Sequence, residues 1–259
     1  METIRLEQDA RGVARLTLAR SEKKNAMSGE MIAELARAAA DIAVSDIIRV
    51  VVLQAEGEVF CAGGDLNWMR AQMGADDETR RREATALAEM LLALNTLPQP
   101  LIGRVNGNAF GGGVGMMSVC DVAIAVEGTK FGLTETKLGL IPATIGPYVI
   151  ARMGEAKARR VFFSSRLFGV EEAQELGLVA KIVAEEELDD VIEAEITPYL
   201  SCAPGAVAEA KALARALGPK IDRETIEMSV DALVKRWASA EAEEGTSAFF
   251  GKRKANWVE

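Results

Sequence analysis

Polar and apolar positions alternate along residues 3–8 and again along 13–19, with Gly12 in the short turn between them. This period of two predicts a β-hairpin. A charged loop, RSEKKNAM, follows at 20–27. Ser28 then stands as an N-cap, and Ile32, Leu35, Ala39 and Ile42 share one face of a helix running to about residue 44. The segment IRVVVLQAE at 48–56 is apolar without alternation and rich in β-branched residues, the pattern of a strand buried on both faces. VFCAGGDL at 59–66 reads as a strand end entering a glycine turn, with Asp65 capping a helix that starts near Leu66. Helical periodicity returns over 78–95 and is broken by Pro98 and Pro100. LIGRVNG at 101–107 reads as a strand, and the glycine-rich NAFGGGVG after it opens another helix.

Beyond that point strands are expected at 121–126 and 130–133, helix over 145–165 and 170–178, and a strand at 179–183. From 187 onwards the pattern is almost wholly helical: about 187–201, 204–217, 222–242 and a short last turn. Mixed β and α followed by helices alone predicts an α/β core with a helical C-terminal extension. The Met, Leu and Trp content of 228–257 marks that extension as a surface for another subunit. No apolar run reaches the ~18 residues of a membrane span. The opening METIRLEQDARG is polar and alternating, unlike a secretory signal.

Composition narrows the chemistry. The chain has 259 residues, 49% of them hydrophobic but only 5% aromatic, so Ala, Val, Ile, Leu and Met must build the core. Net charge is −9, and the basic clusters at 80–82 and 252–254 are short, which argues against a nucleic-acid partner. There is no histidine, which excludes a Ser-His-Asp triad, a Cys-His pair and any His-ligated metal. Cys61, Cys120 and Cys202 lie far apart and suit neither a zinc cluster nor a disulfide framework. A cytoplasmic protein without membrane attachment is the expectation.

Two segments remain as candidate chemistry: CAGGDL at 61–66 and GNAFGGGVG at 107–115. Glycine lets the chain adopt φ > 0 and lets a ligand approach the backbone. The second segment also enters a helix N-terminus, which favours negative charge. Three readings compete: tight turns made for packing, a nucleotide loop, or an oxyanion hole in which N–H groups from both turns converge. The phosphate-loop pattern fails for want of a Gly-Lys-Ser/Thr. The dinucleotide pattern is only partial, since Ser118 follows Gly113 and Gly115 where a third glycine would be needed.

FCAGGDL, RVNGNAFGGGVGMMSVCDVAIA and KFGLTETKLGLIPATIG, in that order, resemble the enoyl-CoA hydratase/isomerase (crotonase) superfamily. RSEKKNAMS, with Ser21 in place of the usual Pro, GVEEAQELGLVAKIV and FFGKRKANW resemble further family segments. The resemblance covers nearly the whole chain. It implies an α/β, crotonase-like (ClpP/crotonase) spiral of ββα units over 1–200, with a helical trimerisation region over 201–259. It also implies an acyl-CoA substrate, a homotrimer or dimer of trimers, and no metal or redox cofactor, coenzyme A entering as part of the substrate. The oxyanion amides would belong to Gly64 and Gly112. Ala62, Asp65 and Leu66 would line the adenine and pantetheine path, Lys24 and Ala26 would sit near the CoA head, and Lys252 would reach a neighbouring subunit's CoA phosphates. Trp68, Met69 and Met116 are candidates for the acyl pocket.

Two-carboxylate hydratases of this superfamily carry one Glu after the triple glycine and a second before the Lys-Leu-Gly segment. The second maps onto Glu135, the first onto Gly115. One carboxylate suffices for 2-enoyl/3-enoyl isomerisation, and a silent acyl-CoA-binding protein is a third possibility. The wording GGGVG and TETKLGLIPATIGPYVI resembles a bacterial branch that hydrates branched glutaconyl-CoA thioesters of leucine and acyclic terpene breakdown. There the substrate's own distal carboxylate, or backbone near Gly115, would hold the water.

Overall fold

The computed structural model describes all 259 residues. The chain opens with the expected antiparallel hairpin, β1 (Ile4–Gln8) and β2 (Val13–Leu18). Helix α1 (Gly29–Ala43) starts where Ser28 Oγ accepts the Met31 N–H at 3.2 Å. Then come β3 (Val50–Ala55), β4 (Val59–Cys61), α2 (Leu66–Gly74), α3 (Asp77–Asn95), β5 (Leu101–Val105), β6 (Asn108–Phe110) and α4 (Gly112–Val119). The order continues with β7 (Val122–Val126), β8 (Lys130–Gly132), α5 (Gly146–Met153), α6 (Glu155–Ala158), β9 (Leu167–Gly169), α7 (Val170–Glu175) and β10 (Lys181–Val183). Four helices end the chain: α8 (Leu188–Leu200), α9 (Pro204–Leu217), α10 (Arg223–Trp237) and α11 (Ala240–Phe250).

The strands divide between two sheets. The larger has the order β1-β2-β3-β5-β7-β10, parallel from β2 onward; the smaller has the order β4-β6-β8-β9. Each consecutive pair, β3/β4, β5/β6 and β7/β8, places its first strand in the large sheet and its second in the small one. Repeating that step winds the chain into the crotonase-like spiral of ββα units.

The continuous apolar run of β3 has its reason here. Val51 and Leu53 face the main core with Leu35, Met90 and Leu91 from the helices. Val50 and Val52 face the opposite way, onto Leu188, Ile192 and Ile196 of α8. A strand covered on both faces needs no polar alternation. Three of the few aromatics occupy the deepest places: Tyr148, Phe60 and Phe131 are fully buried, and the Tyr148 hydroxyl donates to Ala88 O at 2.8 Å. No helix is long and apolar enough to cross a membrane.

Two expected helices are broken. That at 145–165 stops at Gly154 (φ +75), resumes only for the four residues of α6, and gives way to turns. That at 222–242 ends at Trp237; Ser239 then caps α11 by accepting the Ala242 N–H at 3.2 Å. Strands β6 and β9, three residues each, are too short to announce themselves by period.

The loop before α1 is a strap against the first glycine turn. The Ala62 N–H donates to Lys24 O, the Met27 N–H to Gly63 O and the Asp65 N–H to Met27 O, at 2.8–2.9 Å. Asn25 is its buried anchor. Held at φ 52, its amide donates to Glu56 O and Val59 O at 2.8 Å and accepts the Arg20 N–H at 2.9 Å. Asn25→Ala strands these buried groups and leaves an alanine in the left-handed region. It should lower the unfolding free energy by about 3 kcal/mol or more. Urea unfolding monitored by circular dichroism measures it; a loss under ~1 kcal/mol contradicts the anchor role.

Candidate active site

Strands β4, β6 and β8 run parallel and pair in that order, Cys61 with Ala109, Ala109 with Phe131 and Phe110 with Gly132. Their carboxyl ends therefore share one edge of the small sheet. Gly63 and Gly64 follow β4, Gly111 and Gly112 follow β6, and Glu135 follows β8. Ligands in parallel α/β sheets are taken at such an edge because the turns there are free to vary. The turns touch: a methyl on Gly63 would lie 3.2 Å from Phe110 O, and one on Gly111 would lie 3.9 Å from the Gly63 Cα and 3.1 Å from Glu135 Oε1. Gly111 has φ +49, and Gly113 packs so closely on β4 that a Cβ would stand 2.8 Å from Cys61 O. The triple glycine thus lets the helix α4 begin beside the edge of the sheet.

A cavity of about 280 Å³ opens there. Gly64, Gly112 and Glu135 all line it, with Ala62 and Leu66. Gly112 is the first residue of α4, where the N–H has no partner within the helix. Neither it nor the Gly64 N–H donates to any group of the chain. Two free amides beside a helix N-terminus suit an oxygen that becomes negatively charged.

Glu135 begins a single 3-10 turn, Glu135–Leu138. Its Oε2 is buried without a hydrogen-bond partner. Burial raises its carboxyl to about 7, against a small opposing effect of its own backbone N–H. A carboxyl titrating there can both take and give a proton near neutral pH. Lys137, exposed, is the only other charged residue lining the cavity.

Beside Gly115 there is no room for a carboxylate. A Cβ on that residue would meet Ile145 Cγ2 at 2.6 Å and Cβ at 3.0 Å. Ile145 thus fills the space, and the Gly115 N–H donates to Gly111 O at 3.1 Å. Water held by the Gly115 amide is thereby ruled out.

Of the remaining expected residues, only Trp68 and Met69 join the cavity lining. The Asp65 carboxylate is fully engaged: Oδ1 accepts the Asn67 and Trp68 N–H groups at 2.8 and 3.2 Å, and Oδ2 accepts from Arg20 at 3.1 Å. Burial works to raise its carboxyl, but the Trp68 and Asn67 amides and Arg20 outweigh it and hold it below the usual range. Asp65 therefore caps α2 and ties it to the strap. Ala26 is buried with its carbonyl accepting from Arg20 Nη1 at 2.7 Å. Lys24 lies exposed on the strap and Lys252 exposed past α11. Trp68 and Met69 line the cavity, whereas Met116 is wholly buried in the core. Met27, Ile32, Leu87, Ile145, Leu233, Trp237 and Phe249 are among the further apolar residues of the wall, unforeseen from sequence. The last three arrive from α10 and α11, about a hundred residues further along, and no local pattern marks them. No cluster of Cys, Asp and Glu is suited to hold a metal ion.

With the geometry established, comparison with known proteins places the chain. Residues 8–259 match the family model described as enoyl-CoA hydratase/isomerase. The enoyl-CoA hydratase AFT6-1 of Alternaria alternata is 34% identical over 205 residues, spanning 79% of this chain and 67% of that protein. Among solved structures, an enoyl-CoA hydratase from Shewanella pealeana superposes with a TM-score of 0.81 at 36% identity, covering 98% of this chain and 96% of the other. Pseudomonas aeruginosa AtuE superposes with a TM-score of 0.81 at 37% identity, covering 100% of both. Matched by that family's model over residues 8–259 and superposing on both solved structures over nearly their whole length, this chain belongs to the enoyl-CoA hydratase/isomerase family.

Proposed function

We propose that the chain is an enoyl-CoA hydratase that adds water across the α,β double bond of a branched glutaconyl-CoA thioester, with Glu135 as its one proton carrier. The observation behind this reading is a buried, unpartnered carboxyl on the same cavity as two amides that have no acceptor. The thioester oxygen accepts from the Gly64 and Gly112 N–H groups. These bonds strengthen as the oxygen becomes an enolate, so they lower the barrier rather than merely bind substrate. Water bonds to the β-carbon. The proton it sheds passes to the Glu135 carboxylate and then to the α-carbon, returning the enzyme to its starting state. With Ile145 against Gly115, the substrate's own distal carboxylate orients the water by accepting a hydrogen bond from it. Lys24 and Lys252 are assigned to the CoA phosphates, Lys252 across a subunit boundary. The exposed Leu213, Leu217, Met228 and Trp257 fit burial in a homotrimer or dimer of trimers.

The apolar Ile145 wall favours one second reading, a 3-enoyl/2-enoyl-CoA isomerase in which Glu135 carries a proton between two carbons. A panel of thioesters with product identification separates the two. The hydratase reading expects 3-methylglutaconyl-CoA to be hydrated far faster than crotonyl-CoA; equal rates contradict the distal carboxylate's role. A 3-enoyl-CoA giving isomer without hydroxyacyl product favours the isomerase.

Glu135→Gln should lower kcat by ~10²-fold or more in either case. An unchanged turnover would mean that the cavity binds acyl-CoA without this carboxyl acting. Because Glu135 must be ionised to take a proton and its carboxyl titrates at about 7, kcat/KM should fall as pH drops below about 7 and level off above it. A profile flat down to pH ~5 would show a carboxyl with the ordinary value. For the assembly, sedimentation velocity showing monomer alone would overturn the trimer.

A further inference from the structure

Glu135 has no neighbouring side chain to hold it. Its Oε2 lacks any partner, and only its own backbone amide stands near enough to favour the charged form. Such a side chain takes its position from its backbone, so whatever fixes the 3-10 turn fixes the proton carrier. Inside the turn, the Leu140 N–H donates to Glu135 O at 3.0 Å and the Gly139 N–H to Thr136 O at 3.2 Å. One flank is tied to Ser165: its Oγ shares a 2.5 Å hydrogen bond with Thr136 Oγ1 and accepts the Lys137 N–H at 3.1 Å.

The other flank rests on α11, with backbone against backbone. A methyl on Gly245 would lie 2.4 Å from the Leu138 carbonyl carbon and 2.5 Å from its oxygen. A methyl on Gly139, which has φ +69, would lie 2.2 Å from Glu241 O and 2.5 Å from the Glu241 carbonyl carbon. No side chain can swing aside to relieve either contact. Arg236 of α10 clasps the seat from outside: its Nε donates to Gly139 O at 2.6 Å and its guanidinium pairs with Glu241. Arg236 and Glu241 lie outside the cavity lining, where Lys137 is the one charge besides Glu135.

We infer that Gly245 is a positioning residue: the glycine-on-glycine seat between α11 and the Glu135–Leu138 turn sets how far Glu135 reaches into the cavity. The inference rests on the reading that Glu135 carries the proton. A methyl at position 245 reaches ordinary van der Waals contact only if the turn and α11 part by roughly 1 Å. A displacement of that size at a reacting group costs about 10²-fold in rate.

The experiment compares wild type, Gly245→Ala and Arg236→Gln. The Glu135 carboxyl pKa is read by ¹³C NMR of Glu-labelled protein, its resonance assigned by loss in Glu135→Gln. Steady-state kcat and KM are measured on the best thioester of the panel. Gly245→Ala should lower kcat by about 10²-fold with KM within about threefold. The carboxyl should also move away from its wild-type pKa of about 7. Arg236→Gln keeps both glycines but loosens the clasp, and should move both quantities in the same sense by less. It decides the matter if Gly245→Ala does not fold. Folded variants whose carboxyl pKa and kcat both match wild type overturn the inference. If wild type turns over no thioester, the proposed reaction fails, while the pKa comparison still decides whether the seat places Glu135.

Discussion

Three parallel strands of three residues each, β4, β6 and β8, fix where every reacting group stands. Parallel pairing aligns carboxyl ends at one edge, so the turn leaving each strand meets the turn leaving its neighbour. The first yields a glycine turn with a free amide, the second a glycine turn that becomes a helix N-terminus, the third a glutamate whose carboxyl is buried. Such short strands bring few hydrogen bonds of their own. They are held because each is the second half of a pair whose first half lies in the large sheet, which is packed on both faces by apolar side chains. The core is therefore not a passive support. Its two-sided burial of β3 is what keeps the small sheet in register and the cavity in shape.

The Glu135 carboxyl is the least comfortable group in that shape. A buried oxygen without a partner costs the fold free energy. The same desolvation keeps the carboxyl near neutral titration, which proton transfer at ordinary pH requires. Opposing this, the Glu135 turn is held by its own backbone bonds, by the Ser165 hydroxyl on one flank and by the backbone of α11 on the other.

The parts of this arrangement that are legible in sequence are those encoded locally. Ser28 and Asp65 announce their helices because caps work within three residues. The apolar run of 48–56 announces a doubly covered strand. The two glycine turns, with their following helices, stand out as candidate chemistry, but by themselves they leave packing turns, a nucleotide loop and an oxyanion hole all open. The rest depends on distance along the chain. The wall made by Leu233, Trp237 and Phe249 is a tertiary meeting, and their helical spacing looks the same whether they face a cavity, a core or a partner. The break between α10 and α11 is hidden because the residues around Ser239 are ordinary helix formers; only the close seat of Gly245 on the Glu135 turn demands a change of direction there. Ile145 is equally silent, since its meaning lies in Gly115, thirty residues earlier.

That last pair has an evolutionary consequence. A glutamate at position 115 cannot be accommodated while Ile145 stands against it, and a small residue at 145 leaves an empty pocket while 115 remains glycine. Each single change is a loss, through overpacking or through a void. A lineage carrying this pair is thus separated from two-carboxylate chemistry by a step in which both positions must change together.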